Sequence, residues 1–143
     1  MERRERSLNI QVIETLSEQQ IIELAQLYNQ EAWSKDRTLE DIEKMLKHCL
    51  IIGLIDKETD GLVGFARLLT DYVYRATIYD VIVLKVYQGF GLGRLLMETI
   101  VNHPMLRTME RVDLHCVDDK IGFYDKWGFK KVSDTTNFLR RTN

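Results

Sequence analysis

A glycine-rich segment holds residue types that suit the binding of a phosphate group. Glycines let the backbone adopt positive φ angles and approach a ligand closely. The helix expected behind them would offer unpaired N–H groups and the positive end of its dipole, with an arginine adding charge nearby. We therefore predict a pyrophosphate-binding loop, the alternative being a tight turn that needs small residues. The segment consists of Gln88, Gly89, Phe90, Gly91, Leu92, Gly93 and Arg94.

Two other kinds of nucleotide-binding loop do not match this spacing. A P-loop ends in Gly-Lys-Ser/Thr, whereas Gly93 is followed by Arg94 and Leu95. A dinucleotide-binding domain opens with Gly-x-Gly-x-x-Gly, whereas here the spacing is Gly-x-Gly-x-Gly and half of the chain precedes it. The loop is therefore expected to belong to a different phosphate-binding fold.

Hydrophobic periodicity predicts the strands and helices around this loop. Alternation of apolar and polar residues indicates a strand over 8–14, and a capping box at Ser17 and Gln20 begins a helix over about 17–31. A second helix is expected from Thr38. Further strands are expected over 50–55, 62–69, 76–84 and 111–117, helices over 92–102 and 119–127, and one or two more strands over 129–140.

The order of these elements, β-α-α-β-β-β-α-β-α-β(-β), predicts an α/β (α+β) fold. The strands at 50–55 and 62–69 share a tight turn and must be antiparallel, whereas the strand–helix–strand unit 76–117 favours a parallel crossover. We expect one twisted, mixed, mostly antiparallel sheet of six or seven strands with about four helices. The 143 residues suit a single domain, 1–143, in which 1–7 form a flexible tail.

Composition and charge exclude several classes of protein. The net charge of −2 and the pI of about 5.9 do not indicate a nucleic-acid partner. No apolar run approaches the roughly 20 residues of a membrane span, and the first residues lack the apolar stretch of a signal peptide. We therefore expect a cytoplasmic protein that binds neither nucleic acid nor membrane.

The cysteines and histidines show no metal-binding pattern. Cys49 and Cys116 lie far apart, each in an apolar stretch, which favours buried free thiols over a disulfide. His115 and Cys116 are neighbours on a predicted strand, so their side chains should point to opposite faces. Because there is no Cys-x-x-Cys or His-x-x-x-His spacing either, we expect no metal.

The glycine loop and a second motif together resemble a known family. Gln88-x-x-Gly91-x-Gly93 matches the Gln/Arg-x-x-Gly-x-Gly/Ala signature of the GNAT superfamily of N-acetyltransferases. Residues 123–129, Phe-Tyr-Asp-Lys-Trp-Gly-Phe, resemble its second signature, Phe-Tyr-x-Lys-x-Gly-Phe, at the right distance along the chain. The element order is similar to this fold from residue 8 to about residue 140.

Within the superfamily, residues 65–71 and 76–83 are similar to the plastid and cyanobacterial branch that acetylates arylalkylamines and lysines. The run 79–83 followed by 87–89 is also similar to glucosamine-phosphate acetyltransferases. The resemblance implies acetyl-CoA as cosubstrate, a small-molecule amine or a lysine as acceptor, and a homodimer formed through exposed strand edges. Two alternatives stay open: a regulatory module that binds acyl-CoA without turnover, and a transferase for another acyl-CoA.

The resemblance also implies where acetyl-CoA binds. Its pyrophosphate would lie on the amides of residues 89–94, and a lysine of the second motif would contact its phosphates unless it belongs to a solvated helix face. In GNAT proteins a β-bulge separates the fourth strand from the fifth, and the pantetheine arm lies in the gap. The candidate cofactor-binding residues are Ile82, Val83, Leu84, Gln88, Gly89, Phe90, Gly91, Leu92, Gly93, Arg94, Phe123 and Lys126.

Two residues are candidates for the proton transfers that acetylation of an amine requires. Tyr124 occupies the motif position of the general acid, and a phenol with an ordinary pKa of about 10 suits a thiolate leaving group. The alternative for Tyr124 is a core aromatic role. Asp80 is the candidate base, directly or through water, because a charge inside an apolar strand is costly unless it is paired or functional. The alternative for Asp80 is a structural carboxylate bonded to sheet-edge amides or to Arg67.

The acceptor site is less well defined by the sequence. Arg67 either binds an anionic group of the acceptor or pairs with Asp80. Trp33 and Tyr79 are candidates for lining the acceptor pocket, the alternative being a place in the core or an interface. Tyr72 and Tyr74 are further candidates of the same kind.

Overall fold

Five strands form one sheet in the computed structural model of the chain, which describes residues 8–132 and 137–143. The sheet order follows the chain order, and neighbouring strands pair antiparallel except for the last two, which are parallel. The expected mixed, mostly antiparallel sheet is therefore confirmed. The strands are β1 (Ile10–Ile13), β2 (Leu50–Asp56), β3 (Gly61–Thr70), β4 (Arg75–Val83) and β5 (Arg111–Leu114).

Four α-helices accompany the sheet in this described part. The first begins at the predicted capping box, in which Ser17 Oγ accepts from Gln20 N–H (3.2 Å) and Gln20 Oε1 accepts from Ser17 N–H (2.8 Å). No helix of the described residues is long and apolar enough to cross a membrane. The helices are α1 (Glu18–Asn29), α2 (Leu39–Leu46), α3 (Leu92–Val101) and α4 (Ile121–Asp125).

Apolar side chains are buried on both faces of the sheet. Because side chains alternate along a strand, β2 supplies Ile52 to one face and Ile51 to the other. Leu96 of α3 belongs to the cluster with Ile52, whereas Leu24 of α1 and Ile42 of α2 belong to the cluster with Ile51. The two clusters fix α3 behind the glycine loop and hold α1 across the opposite face of β4.

A β-bulge interrupts β4. Phe65 of β3 pairs with Ile82, whereas Arg67 pairs with Tyr79, so β3 advances by two residues while β4 advances by three. The inserted position is Asp80, whose φ of 57° lies in the left-handed region. The bulge expected in the fourth strand is therefore confirmed.

The same strand separates from β5 just before the bulge. The parallel pairing joins Arg75–Ile78 to Arg111–Leu114 and ends there. Beyond Ile78, no strand of residues 8–132 or 137–143 pairs with the edge of β4 that faces away from β3. We call this edge the outward edge, and the space beside it is the gap that the resemblance implies.

The expectation of six or seven strands is wrong for the described residues. Residues 129–132 and 137–140 form no strand, whereas 133–136, like the predicted tail 1–7, lie outside the described residues. Two consecutive lysines, Lys130 and Lys131, interrupt the apolar alternation that a strand needs, and Lys130 forms an ion pair with Asp125 at the end of α4.

Two boundaries and one burial prediction also need correction. β5 ends at Leu114 because β4 has left it by then, so His115 and Cys116 follow the strand instead of belonging to it. Cys116 is exposed and Cys49 is half-buried, although both are free thiols as expected. The last helix begins at Ile121, preceded by a 3-10 turn over Asp118–Lys120.

The capping box of α1 supplies a test of the fold, since this helix carries Tyr28 and ends beside β4. Ser17→Ala removes the side-chain acceptor for Gln20 N–H and should lower the free energy of unfolding by about 1 kcal/mol. Gln19→Ala, at an exposed position of the same helix, should change it by less than about 0.5 kcal/mol. Urea denaturation measures both, and equal effects would contradict the role of the cap.

Candidate active site

The glycine loop presents bare backbone to open space. Gly89 and Gly91 have φ angles of 89° and 81°, which side-chain-bearing residues adopt at a cost. A Cβ atom placed on either glycine would meet no other atom within 4 Å. The loop therefore leaves room for a ligand directly against its backbone, as the predicted cradle requires.

The start of α3 supplies donors to this space. The first N–H to donate within the helix is that of Leu95, which bonds Gly91 O at 3.0 Å. The N–H groups of Leu92, Gly93 and Arg94 consequently have no acceptor within the helix, and they lie where its dipole is positive. The exposed Arg94 side chain pairs with Glu98 at 3.0 Å, so much of its charge is balanced and the backbone is the main source of attraction for an anion.

The two sequence motifs meet at the first turn of α3. A Cβ on Gly93 would lie 3.6 Å from Phe123 Cζ, so the ring packs directly on the glycine. Phe123 makes edge-to-face contacts with Tyr124 and Trp127, each with 5.0 Å between ring centroids. Lys126 Nζ lies 5.4 Å from the centroid of Phe123. The second motif thus packs against the first turn of α3 through Phe123, with the Lys126 ammonium group and the Tyr124 ring next to that side chain.

A buried carboxylate anchors the approach to the loop. The Tyr87 hydroxyl donates to Asp56 Oδ2 at 2.6 Å, and Asp56 Oδ1 accepts from Glu58 N–H at 3.0 Å. Asp56 ends β2 and is buried. This contact ties the loop to a strand two places away in the sheet, and the sequence signal for it is a carboxylate that closes an otherwise apolar strand.

Of the three backbone positions predicted at the end of β4, Val83 faces the gap. Leu84 N–H donates to Val63 O of β3 at 2.9 Å, so the polar groups of residue 84 point toward β3. Since these groups alternate along an antiparallel strand, those of Ile82 also face β3 and those of Val83 face the outward edge. There Val83 O accepts from the side-chain amides of Gln30 (2.9 Å) and Gln88 (3.1 Å).

Asp80 is the centre of an ionic cluster. Its Oδ2 accepts hydrogen bonds from the Tyr28 hydroxyl (2.8 Å), Arg37 Nη1 (2.8 Å) and Arg67 Nε (2.5 Å). The carboxylate side chain is only 6% exposed. The pairing of Arg67 with Asp80, one of the two alternatives for each residue, is therefore confirmed.

These contacts determine the charge state of Asp80. Burial opposes its ionisation, but the hydrogen bonds from Arg67, Arg37 and Tyr28 outweigh this and hold the pKa of the carboxyl below its usual range. Burial and the neighbouring carboxylate raise the pKa of Tyr28, so its hydroxyl stays a donor. A carboxylate with a lowered pKa is a weak proton acceptor. The base role of Asp80 stays a prediction, and these contacts favour the structural alternative.

The predicted acceptor residues lie around this cluster. The Arg67 guanidinium stacks 4.7 Å from the centroid of Tyr79, and that of Arg37 lies 5.6 Å from the Trp33 ring, which is 55% exposed. Both Tyr79 and Asp80 contact Arg67 because the bulge turns these consecutive residues to one face of the sheet. Tyr72 and Tyr74, by contrast, lie in the turn before β4, at the far end of the strand from the bulge.

Tyr124 lines a groove that reaches the same cluster. The groove has a volume of about 810 Å³, and its walls include Thr77, Tyr79, Asp113, Cys116 and Tyr124. Burial, with a smaller contribution from Cys116, raises the pKa of Tyr124 above its usual value. The phenol is therefore protonated at neutral pH, as a general acid must be before it donates.

Comparison with known proteins decides the family. The Acetyltransferase (GNAT) family model matches residues 18–129, which is most of the chain and includes both motifs. The chain belongs to this family. The acetyltransferase is 38% identical over 117 residues to the uncharacterized N-acetyltransferase ycf52 of Porphyra purpurea, covering 80% of this chain and 67% of that protein.

Other relatives agree with this membership. Serotonin N-acetyltransferase 2, chloroplastic, of Oryza sativa is 32% identical over 101 residues, which cover 68% of this chain and 50% of that protein. A Xanthomonas campestris structure described as a GNAT-family acetyltransferase superposes with a TM-score of 0.80 at 25% identity and covers 94% of both chains. The acetyltransferase thus spans half to two thirds of these curated relatives and nearly all of the solved structure.

Three residues of the candidate site were not predicted from the sequence. Tyr28 belongs to the apolar stripe of α1, so its hydroxyl gave no separate signal. Gln30 is one of several polar residues at the end of the predicted helix, and Arg37 lies in the connection that follows it. The only sequence signal for Arg37 is that it lies four positions after Trp33, an aromatic residue already predicted to line the acceptor pocket. Among the described residues, no group of three or more His, Cys, Asp or Glu side chains could hold a metal ion.

The ionic cluster predicts the effect of removing the Asp80 charge. Asp80→Asn preserves the shape of the side chain but leaves two guanidinium groups without their carboxylate. This substitution should lower the free energy of unfolding at pH 7 by about 2–3 kcal/mol. The loss is smaller than for most fully buried ion pairs because Arg37 is partly exposed. Glu98→Gln, which breaks the exposed pair with Arg94, should cost less than about 1 kcal/mol. Urea denaturation measures both variants.

The pH dependence of that difference has a definite sign. A carboxyl with a lowered pKa in the folded chain stabilises the fold fully above its ordinary pKa of about 3.9, and loses this contribution as the pH falls through the lowered value. The difference in stability between the wild type and Asp80→Asn should therefore begin to shrink as the pH falls below about 4, and it should vanish only below the lowered pKa of Asp80. A difference that is the same at pH 7 and at pH 3 would contradict the assigned ionisation of Asp80.

Proposed function

We propose that this acetyltransferase moves the acetyl group of acetyl-CoA to a primary amine by direct attack in a ternary complex. The observation that carries the proposal is the continuity of the glycine loop with the outward edge of β4. At Gly89 and Gly91 the loop is open to a ligand, and Val83 faces the gap a few residues earlier. One extended ligand with a pyrophosphate at one end and an acyl thioester at the other suits this arrangement.

Acetyl-CoA would bind along this line. Its pyrophosphate would accept hydrogen bonds from the free amides at the start of α3, with Lys126 supplying charge from the second motif. The pantetheine arm would follow the outward edge of β4 beside Val83, whose carbonyl already accepts from Gln30 and Gln88. The open space over the glycines supports this fit, since any side chain there would occupy the place of the phosphates.

Two groups would serve the proton transfers. The amine nitrogen attacks the thioester carbon, the carbon–sulfur bond breaks, and the departing thiolate takes the proton of the Tyr124 hydroxyl. The raised pKa of Tyr124 keeps that proton in place until the thiolate forms. Because three donors already hold Asp80 Oδ2, the amine proton would pass first to a water molecule and through it to Asp80, instead of moving directly to the carboxylate.

The acceptor would enter on the face that carries Arg67, Tyr79 and Trp33. Two aromatic rings there suit an amine with a flat or apolar body, and the name of the rice relative, a serotonin N-acetyltransferase, supports an arylalkylamine within the wider class of small amines and lysines. We also propose that the protein is cytoplasmic and forms a homodimer through strand edges. Fractionation and light scattering test these two points.

The cradle predicts the effect of a side chain at Gly91. Gly91→Val would place a branched side chain at a φ of 81° and in the space assigned to the pyrophosphate. Calorimetry should show acetyl-CoA affinity reduced by at least about 100-fold, equivalent to roughly 2.7 kcal/mol. Gly122→Ala, on α4 at a position with equally open surroundings, should keep its affinity. Unchanged binding by a folded Gly91→Val protein would overturn the cradle assignment.

The acid role predicts the behaviour of Tyr124→Phe. The ring and its contacts with Phe123 and Phe129 remain, so stability and acetyl-CoA affinity should change little. Because the variant lacks the proton donor, kcat should fall by about 10²–10⁴.

Steady-state kinetics of Tyr124→Phe measures this loss, with Tyr74→Phe, in the exposed turn before β4, as the control that should keep wild-type kcat. The loss should shrink with an acyl donor whose thiol is more acidic. Activity of Tyr124→Phe within about threefold of the wild type, well below the acid–base range, would exclude the role.

A further inference from the structure

The side chain of Gln30 forms a two-point contact with the end of β4. Gln30 follows α1 directly, and its Nε2 donates to Val83 O at 2.9 Å while its Oε1 accepts from Lys85 N–H at 2.9 Å. Nε2 also donates to Glu31 Oε2 at 3.0 Å. One carboxamide therefore bonds backbone groups on both sides of Leu84.

This contact reproduces what a neighbouring strand would supply. Leu84 N–H points toward β3, so the polar groups of Val83 lie on the outward edge, and the N–H of Lys85, at the start of the next turn, also bonds Gln30 there. That edge has no strand partner beyond Ile78 in the described residues. The Gln30 carboxamide bonds a backbone acceptor and a backbone donor that lie two residues apart, as a paired β-strand would. It does so without filling the gap with a sixth strand.

The contact is not needed to hold α1 in place. Leu24, Leu27 and Tyr28 of this helix are fully buried against the sheet, and they anchor it through apolar area. Gln88 also donates to Val83 O, so the strand end keeps one side-chain bond if Gln30 is altered. The contribution of Gln30 is thus concentrated on the orientation of residues 83–85, between the gap and the glycine loop.

We propose that Gln30 is a positioning residue for the pantetheine arm of acetyl-CoA. Its carboxamide holds the outward edge of β4 in a preformed arrangement, so the arm meets an ordered strand end. This inference rests on the proposed use of acetyl-CoA. It implies that Gln30 matters for the part of the ligand beyond the pyrophosphate, because the glycine loop has its own anchor in the contact between Tyr87 and Asp56.

The test compares two ligands on matched variants. Gln30→Met keeps the length of the side chain and removes the hydrogen bonds to Val83 O and Lys85 N–H, together with the one to Glu31. Gln19→Met makes the same change at an exposed position of α1. Calorimetry measures the affinity for CoA, which has the pantetheine arm, and for ADP, which has the pyrophosphate without it. Thermal melting of the ligand-free proteins reports their stability.

Positioning predicts a split between the two ligands. Gln30→Met should bind CoA about tenfold more weakly, the equivalent of about 1.4 kcal/mol, as expected from the loss of two hydrogen bonds. Its affinity for ADP should stay within about twofold of the wild-type value, which corresponds to less than one third of the free-energy change expected for CoA. Gln19→Met should match the wild type for both ligands.

Three outcomes would overturn the inference. If Gln30→Met binds CoA as tightly as the wild type does, Gln30 has no positioning role, although the proposed function stands. If it loses affinity for CoA and ADP equally and melts earlier, Gln30 supports the fold in general. If the wild type binds neither ligand, the proposed function fails and the inference fails with it.

Discussion

The hydrogen-bonded ion cluster at Asp80 is the constraint on which the rest of the site depends. A left-handed backbone costs a non-glycine residue roughly 1 kcal/mol or more, so the bulge needs partners that hold it. Tyr28, Arg37 and Arg67 provide them from α1, from the connection after it and from β3. With the bulge in place, Tyr79 and Asp80 share a face of the sheet, and β4 runs on without β5.

The connection between α1 and α2 joins the two halves of the proposed site. Gln30 bonds the end of β4 and Arg37 bonds its bulge, so the segment between them is attached to this strand at both ends. Trp33 belongs to the same segment and lies against Tyr28 and Arg37, and the neighbouring buried Ser34 donates a 2.8 Å hydrogen bond to Tyr28 O. The proposed acceptor side and the proposed cosubstrate side are therefore linked through one short stretch of chain.

Local rules were sufficient wherever a few adjacent residues decide the structure. The capping box at Ser17, the turn before β3 and the positive φ angles of Gly89 and Gly91 follow from neighbouring residues, and two spaced motifs identified the family. The partners of Asp80 lie 13 to 52 positions away along the chain, where periodicity carries no information. β5 ends early and Cys116 is exposed because β4 separates from β5 after Ile78. That separation occurs next to the bulge in β4, so the residues of β5 themselves do not predict it.

Acetyl-group turnover by the wild-type protein tests the central claim most directly. Free thiol released from acetyl-CoA would be followed with polyamines, arylalkylamines, amino sugars, amino acids and lysine peptides offered separately, with mass spectrometry of each acceptor. The account predicts thiol release that depends on at least one class of amine and equals the amount of acetylated product. Tight binding of acetyl-CoA without amine-dependent release in any class would contradict it and would indicate an acyl-CoA-binding module instead.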